Sequence, residues 1–289
     1  MNSWLANGLV LMAALVWGVA FYFQKTAMDH MGPLLFLGLR AIIAAAALAP
    51  FALRERGRGQ GHGSILPIAL LGGVSFFTAA AIQQFGIIEA TITNTGFLTA
   101  LYVVVTPFIA WGVMRRRPGA RIWLAAALAF AGAWALGGGG FATFSRGDWL
   151  IACSALFWSC FIVITSVSGR HERPLTYVSL QFIVVAALSF AGALLFETVS
   201  AAAIIAAAVP VLYVGLLSSA FTFAVVAIAL RHVPPARAAI LLSLETLFAA
   251  ATGAITMGDR LTPVGWLGAG LMFAAFLVVQ TGTGGKRPD

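Results

Sequence analysis

Charge is what this sequence has least of. Only 9% of its 289 residues are charged, with 9 Asp and Glu against 17 Lys and Arg. A soluble globular chain carries nearer ~25%, so there are too few charges here to clothe a water-facing surface. Cysteine is almost absent. Cys153 and Cys160 are the only two. On a helix that spacing leaves them about 10 Å apart in rise, too far to bridge. A disulfide-stapled secreted fold is excluded, and the pair reads as small buried hydrophobes. The four histidines, His30, His62, His171 and His232, are scattered between apolar runs, so no metal site is expected. Gly137-Gly138-Gly139-Gly140 lacks the Lys and Ser or Thr of a phosphate loop,. No cofactor is implied.

What is present is apolar. Hydrophobic residues make up 61% of the chain, and mean hydropathy is +0.98. A bilayer core asks for ~20 apolar residues per helix, and the sequence contains ten such runs: Trp4–Gln24, Pro33–Leu53, Ser64–Gln83, Thr91–Met114, Arg121–Leu136, Asp148–Val167, Leu175–Phe196, Val209–Leu230, Pro235–Thr256 and Val264–Thr281. Gly, Pro and charged clusters punctuate them. The expectation is an all-α integral membrane protein with ten transmembrane helices. The first run has no Lys or Arg before it and reads as a span, not a signal peptide. Ser200–Ala208 is short and Ala-rich, and reads as a re-entrant or interfacial piece.

The chain repeats itself. A shift of 141 residues lays Ala14-Leu15-Val16-Trp17-Gly18 on Ala155-Leu156-Phe157-Trp158-Ser159, and Pro33 on Pro174. Near the ends of the halves a shift of 143 lays Met114, Trp123 and Leu124 on Met257, Trp266 and Leu267,. Residues 1–140 and 141–289 thus read as two units of five spans. Five is odd, so the repeats enter the membrane from opposite sides, the arrangement of secondary transporters. With the N-terminus inside, thirteen cations face the cytoplasm, among them Arg115, Arg116, Arg117, Arg170, Arg173, Arg231 and Arg237, while Lys25, Arg146 and Arg260 lie outside. That bias places both termini in the cytoplasm of a bacterial-type inner membrane. It also explains the net charge of +8 as orientation in a bilayer rather than nucleic-acid binding.

Charges inside a span cost several kcal/mol unless paired or wetted. Two are expected there. Arg40 lies seven residues past Pro33, about 10 Å below the outer surface,. Glu245 lies ten residues past Pro235, about 15 Å in, near the midplane,. Either Arg40 holds a substrate carboxylate while Glu245 attracts an ammonium or carries a proton, or the two pair with each other, or with backbone and amide groups, to fix the halves. The repeat mate of Arg40 is the neutral Gln181, so the architecture does not need the charge twice. Trp17 and Trp158 are mid-span repeat mates, each followed by a small residue, and suggest a cavity between halves. Trp4, Trp149 and Trp266 sit at span ends as interfacial anchors. Tyr102, Thr78, Gln83, Asn94, Gln181 and Ser243 complete the candidate site, although Asn94 also suits a helix cap and the hydroxyls suit bonds to their own helices.

These features resemble a known family over nearly the whole chain. The Trp17-Gly18 pair, Arg40, the stretch from Gly86 to Pro107, Ala238-to-Glu245 and Gly258-Asp259-Arg260-Leu261-Thr262 are similar to the EamA-type members of the drug/metabolite transporter superfamily. The family usually has Pro after the acid of span nine, where this chain has Thr246. Within the superfamily the chain resembles the YddG-type amino-acid exporters. The resemblance implies a transporter that exports small metabolites, amino acids first among them, by alternating access. The alternatives are a transporter of other drugs or metabolites, and a polytopic enzyme acting on lipid, which would need a catalytic constellation that these residues do not form. The partners expected are a small-molecule substrate and the lipid bilayer, with monomer and homodimer both open.

Overall fold

The computed structural model describes residues 1–55, 63–138, 144–258 and 260–281. The expected boundary at 140/141, Asp259 and the cations Arg56, Arg58, Lys286 and Arg287 lie outside the described residues. Among the described residues there is no strand. The helices are α1 (Ser3–Ala27), α2 (Pro33–Arg54), α3 (Leu66–Ile87), α4 (Ile92–Thr99), α5 (Tyr102–Met114), α6 (Ala120–Leu136), α7 (Arg146–Ser168) and α8 (Pro174–Phe196). They continue with α9 (Ala201–Ala206), α10 (Ala208–Leu212), a π-helical stretch Tyr213–Phe221, α11 (Thr222–Ala229), α12 (Pro235–Leu242), α13 (Glu245–Thr256) and α14 (Pro263–Thr281). Nine helical stretches of the described residues are long and apolar enough to cross a membrane, and Ala120–Leu136 is a shorter tenth. The expected ten-span, all-helical membrane architecture is therefore the observed one. Trp4, Trp149 and Trp266 are all exposed, as interfacial anchors must be. Within Ser200–Ala208, Ala201–Ala206 form α9, none of whose residues is buried, while Ala207 is buried and Ala208 begins α10.

Local chemistry starts the helices where the sequence breaks. Pro33 and Pro174 stand at first-turn positions of α2 and α8, where the missing N–H costs nothing. Ser145 and Asp148 form a reciprocal capping box at the start of α7,.

The packing has a two-fold pattern. α2 lies on α8 and α6 on α14, each pairing a span with its own repeat mate. α3 on α7 is matched by α11 on α1, and α1 on α13 by α7 on α4 and α5. At the α6–α14 seam, a Cβ on Gly132 would lie 2.6 Å from the Gly268 carbonyl oxygen, and one on Gly268 would lie 2.5 Å from that of Gly132. Only glycine allows these backbones to touch, the small-residue packing that joins helices in lipid.

A carboxylate clasp repeats the pattern at each end of the α2–α8 pair. Glu197, just past α8, accepts hydrogen bonds from the Leu34 and Leu35 amides at the start of α2, both at 2.8 Å. Glu55, just past α2, accepts from the Leu175 amide at 3.2 Å and the Thr176 amide at 2.8 Å at the start of α8. Each anion satisfies the open amides and positive dipole end of the other helix. Pairing of this kind requires antiparallel mates, so it ties the inverted repeat together from both membrane faces.

The symmetry is broken in one place. From Pro67 to Gly72 in α3 the mates are Pro210 and Gly215, at a shift of 143, but Thr78 matches Thr222 at a shift of 144. One extra residue in the later helix is what a π-helix accommodates, and the π-helical stretch Tyr213–Phe221 lies across it.

Candidate functional site

Spans four and nine are each broken midway. α4 ends at Thr99 and α5 begins at Tyr102; α12 ends at Leu242 and α13 begins at Glu245. The breaks at Ala100-Leu101 and Ser243-Leu244 are repeat mates, and both turn with short i to i−3 bonds: Val103 to Ala100 at 2.9 Å, Thr246 to Ser243 at 3.1 Å. Tightened turns within a helix commonly mark hinges. The first residues after the breaks, Tyr102 and Glu245, are mates as well, and they meet: the Tyr102 hydroxyl donates to Glu245 Oε1 at 2.9 Å. Discontinuous helices crossing between halves are where secondary transporters bind solute.

A cavity opens beside this contact. Its polar lining includes Arg40, Gln24, Gln83, Thr99, Tyr102 and Glu245. Its apolar lining includes Trp17, Phe21, Trp158, Phe161 and Phe223. Four of these rings form one continuous cluster: Trp17 lies 4.7 Å from Phe223, Phe161 5.6 Å from Phe223, and Trp158 5.8 Å from Phe161, centroid to centroid. Aromatic walls of this kind supply large apolar faces that also attract cations.

Arg40 is 4% exposed and Glu245 2% exposed, and neither is in an ion pair among the described residues. The two do not pair with each other; the other form of the structural alternative, bonds to neutral groups, is the one observed. Arg40 is instead held by neutral groups. Its Nε donates to Ser219 Oγ at 3.1 Å, its Nη1 donates to Gln24 Oε1 at 3.2 Å, and its guanidinium carbon lies 5.8 Å from the centre of the Phe76 ring. A guanidinium has five donors in a planar fork, so donors remain for the cavity that it lines. Gln83 Nε2 donates to Thr99 Oγ1 at 2.6 Å. The Trp17 indole N–H is shared by Ser218 O at 3.0 Å and Thr222 Oγ1 at 2.7 Å.

Six of the ten sequence candidates thus come together: Arg40, Trp17, Trp158, Tyr102, Gln83 and Glu245. The other four do not. Thr78 bonds the Val74 carbonyl of its own helix. Ser243 likewise bonds Ile240 O. Asn94 bonds Asp148 Oδ1 at the glycine-rich end, where Thr91 is the cap. Gln181 is fully buried off the cavity, and neither of its amide atoms has a partner. Reading residues one at a time missed Gln24, Phe161, Phe223 and Ser219. Gln24 was findable, being one helical turn past Ala20 on the Trp17 side of α1.

The two ends of the cavity differ. Towards Gly86 and Gly147 the backbones touch, since a Cβ on Gly86 would lie 2.6 Å from Gly147 O. Lys25 Nζ there donates to Ala90 O at 2.7 Å and Ile87 O at 3.2 Å, and Glu89 accepts from the Gly147 amide at 3.1 Å. Towards the arginine-rich end the cavity lining includes Ile162, Val226 and Leu242. Ser166 and Leu230, four residues on along α7 and at the end of α11, already line a broad open cleft. Four residues are one turn, about 6 Å. The empty space between the cavity walls is about 540 Å³, but the centre of a water molecule reaches only about 40 Å³ of it. One water needs ~10–15 Å³ by that measure, so a few waters fit and a larger solute does not. The cavity is thus narrow, with the Gly86–Gly147 backbone contact towards one end and the broad cleft at Ser166 and Leu230 towards the other.

Comparison with known proteins follows the same halves. The EamA-like transporter family model matches residues 4–138 and again residues 145–281. An uncharacterized transporter of Archaeoglobus fulgidus is 31% identical over 94% of this chain and 84% of its own length. The uncharacterized transporter YwfM of Bacillus subtilis is 28% identical over 94% of this chain and 92% of its own. A solved crystal structure superposes with a TM-score of 0.76 at 17% identity, over 95% of this chain and 96% of that one, a likeness of fold alone.

Proposed function

The chain belongs to the EamA-like transporter family, and from that premise we propose that it exports amino acids through the Arg40–Glu245 cavity by alternating access. The observation that carries this reading is a guanidinium and a carboxyl lining one cavity without pairing. A guanidinium and a carboxyl group that do not bond each other in a low-dielectric site leave room for a solute that answers both. A zwitterionic amino acid does so: its carboxylate takes the free donors of Arg40, its ammonium faces Glu245, and its side chain lies on the Trp17, Trp158 and Phe223 rings.

The breaks before Tyr102 and Glu245 act as the hinges, and Ile162, Val226 and Leu242 form the gate nearer the cytoplasm. The charge bias supports that orientation, with both termini cytoplasmic and the thick seal at Gly86–Gly147 outside. On this reading the Gly86–Gly147 contact seals the outward side, and the inward path runs past Ile162, Val226 and Leu242 to the cleft at Ser166 and Leu230.

Counterflow of a radiolabelled amino-acid panel into protein-only liposomes tests the reading. Arg40→Lys keeps the charge and loses the fork. It should reduce uptake of carboxylated solutes by roughly tenfold or more while amino-acid amides suffer less. Equal loss for both, with a lowered melting temperature, would show Arg40 to be structural. No counterflow of any amino acid by the unaltered protein would overturn the substrate class.

A further inference from the structure

The cleft at the arginine-rich end takes no part in the solute site above. It is lined by Arg116, Arg117, Arg170, Arg231, Arg237 and His232, and no Asp or Glu is among its lining residues. The centre of a water molecule reaches about 790 Å³ of it, so small ions enter freely. Both halves contribute: Arg116 and Arg117 come from the turn between α5 and α6, and Arg231 and Arg237 from the turn and helix after α11.

Two further features point the same way. α6 and α12 both begin at this cleft, with Gly119 and Pro234 as capping residues, and neither start has a side chain hydrogen-bonded to it. The positive ends of two helix dipoles therefore face the same space as the cations; at α12, where Pro234 and Pro235 have no N–H, the amides of Ala236 and Arg237 are the ones left for a ligand,. The cations are poorly neutralised among themselves. Arg231 reaches Glu172 only at 3.7 Å, Arg237 Nη2 reaches the neutral Gln280 at 3.3 Å, and the buried Nε of Arg237 has no partner. Arg117 lies over the Trp111 ring, 5.1 Å from its centre. Orientation in a bilayer calls for cations on one face, but not for their convergence on a concavity with two uncapped helix starts.

We propose that this cleft is an anion site that binds a phosphate-type oxyanion between the halves, at the mouth of the solute path. A tetrahedral oxyanion matches what is offered, since its oxygens accept from guanidinium forks and helix amides together. Bound there, it bridges the turn after α5 to the start of α12, so its occupancy holds the two halves together at the end where the thin gate must open. The anion is either free phosphate or the phosphate of an anionic lipid headgroup; the chemistry of recognition is shared.

The test uses the purified full-length protein in detergent. Inorganic phosphate is titrated calorimetrically at an ionic strength held constant with chloride. In parallel, retention of phosphatidylglycerol against phosphatidylcholine is read by native mass spectrometry. Saturable phosphate binding should weaken roughly tenfold or more in Arg231→Gln and in Arg237→Gln. It should be unchanged in Arg54→Gln, whose cation lies at the same end of the bundle but against Phe51 and outside the cleft. The exposed Arg117→Gln repeats the measurement should the half-buried Arg237 variant fail to fold. Selective retention of phosphatidylglycerol, lost in the same cleft variants and with no phosphate heat, also supports the site and assigns it to lipid. Binding of neither probe, or equal weakening by Arg54→Gln, overturns it.

Discussion

Trp17 and Trp158 stand at equivalent positions in the two repeats and line the same cavity, yet their surroundings differ. The Trp17 indole N–H has two acceptors, Ser218 O and Thr222 Oγ1, whereas the buried Trp158 N–H has none. The same contrast separates Arg40, held by Ser219 and Gln24, from its mate Gln181, whose amide is orphaned. Apart from Gln24 on α1, these acceptors come from the π-helical stretch and the residue after it, Ser218, Ser219 and Thr222, and α3 has no such stretch. The extra residue in the later helix therefore equips one side of the cavity and leaves the other bare. A gene-duplicated scaffold acquires a polar end and an apolar end by a local change in helix register, with the overall two-fold packing kept.

The largest effect expected from breaking this comparison is at the clasps, where the halves are alike. Glu55 is 3% exposed and accepts from two amides and the Thr176 hydroxyl; Glu197 is only half-buried and accepts from two amides. Glu55→Ala should lower stability by about 3 kcal/mol, and Glu197→Ala by about 1–2 kcal/mol, read from unfolding in mixed micelles. Equal losses would show that burial does not grade the two ends.

Next in size are the mates of span two. Replacing the orphaned Gln181 by Leu removes an unsatisfied buried amide of similar volume, and should raise stability by about 1–2 kcal/mol with counterflow retained. Arg40→Leu should do the reverse, abolishing counterflow of carboxylated solutes. A Gln181→Leu protein that is less stable would mean that the amide has a partner in another conformation.

Smaller still is the contrast between the tryptophans. Trp17→Phe forfeits two acceptors and should cost about 1 kcal/mol. Trp158→Phe forfeits none and should change stability by less than about 0.5 kcal/mol. In transport both substitutions should alter the ranking of large against small amino acids more than the overall rate. Thermal unfolding and the radiolabelled panel on the same preparations check both halves of the statement.

Much of the fold was legible before any coordinates. Ten apolar runs, Pro33 and Pro174 at matching helix starts, and the Trp17–Trp158 spacing follow from hydropathy and periodicity, which are local properties. Arg40 and Glu245 were legible for a different reason, because an ion inside an apolar run has no bland explanation. The clasp glutamates were hidden. Glu55 and Glu197 stand at span ends, where a charge is ordinary, and nothing local says that each will cap the other's helix. Thr78, Asn94 and Ser243 read as site residues because hydroxyls and amides are rare in spans, but their own backbones and neighbouring caps consume them.

By itself, then, the sequence determined the medium, the number of spans, the inverted duplication and the two buried charges, since composition, length and parity depend only on order along the chain. Tertiary structure alone decided that Arg40 and Glu245 share a cavity without pairing, that Tyr102 meets its own mate across the pseudo-two-fold axis, and which half carries the hydrogen-bond acceptors. Those are distances between helices far apart in sequence. They are set by where glycines let backbones touch and where one extra residue turns a helix face, and no window along the chain contains them.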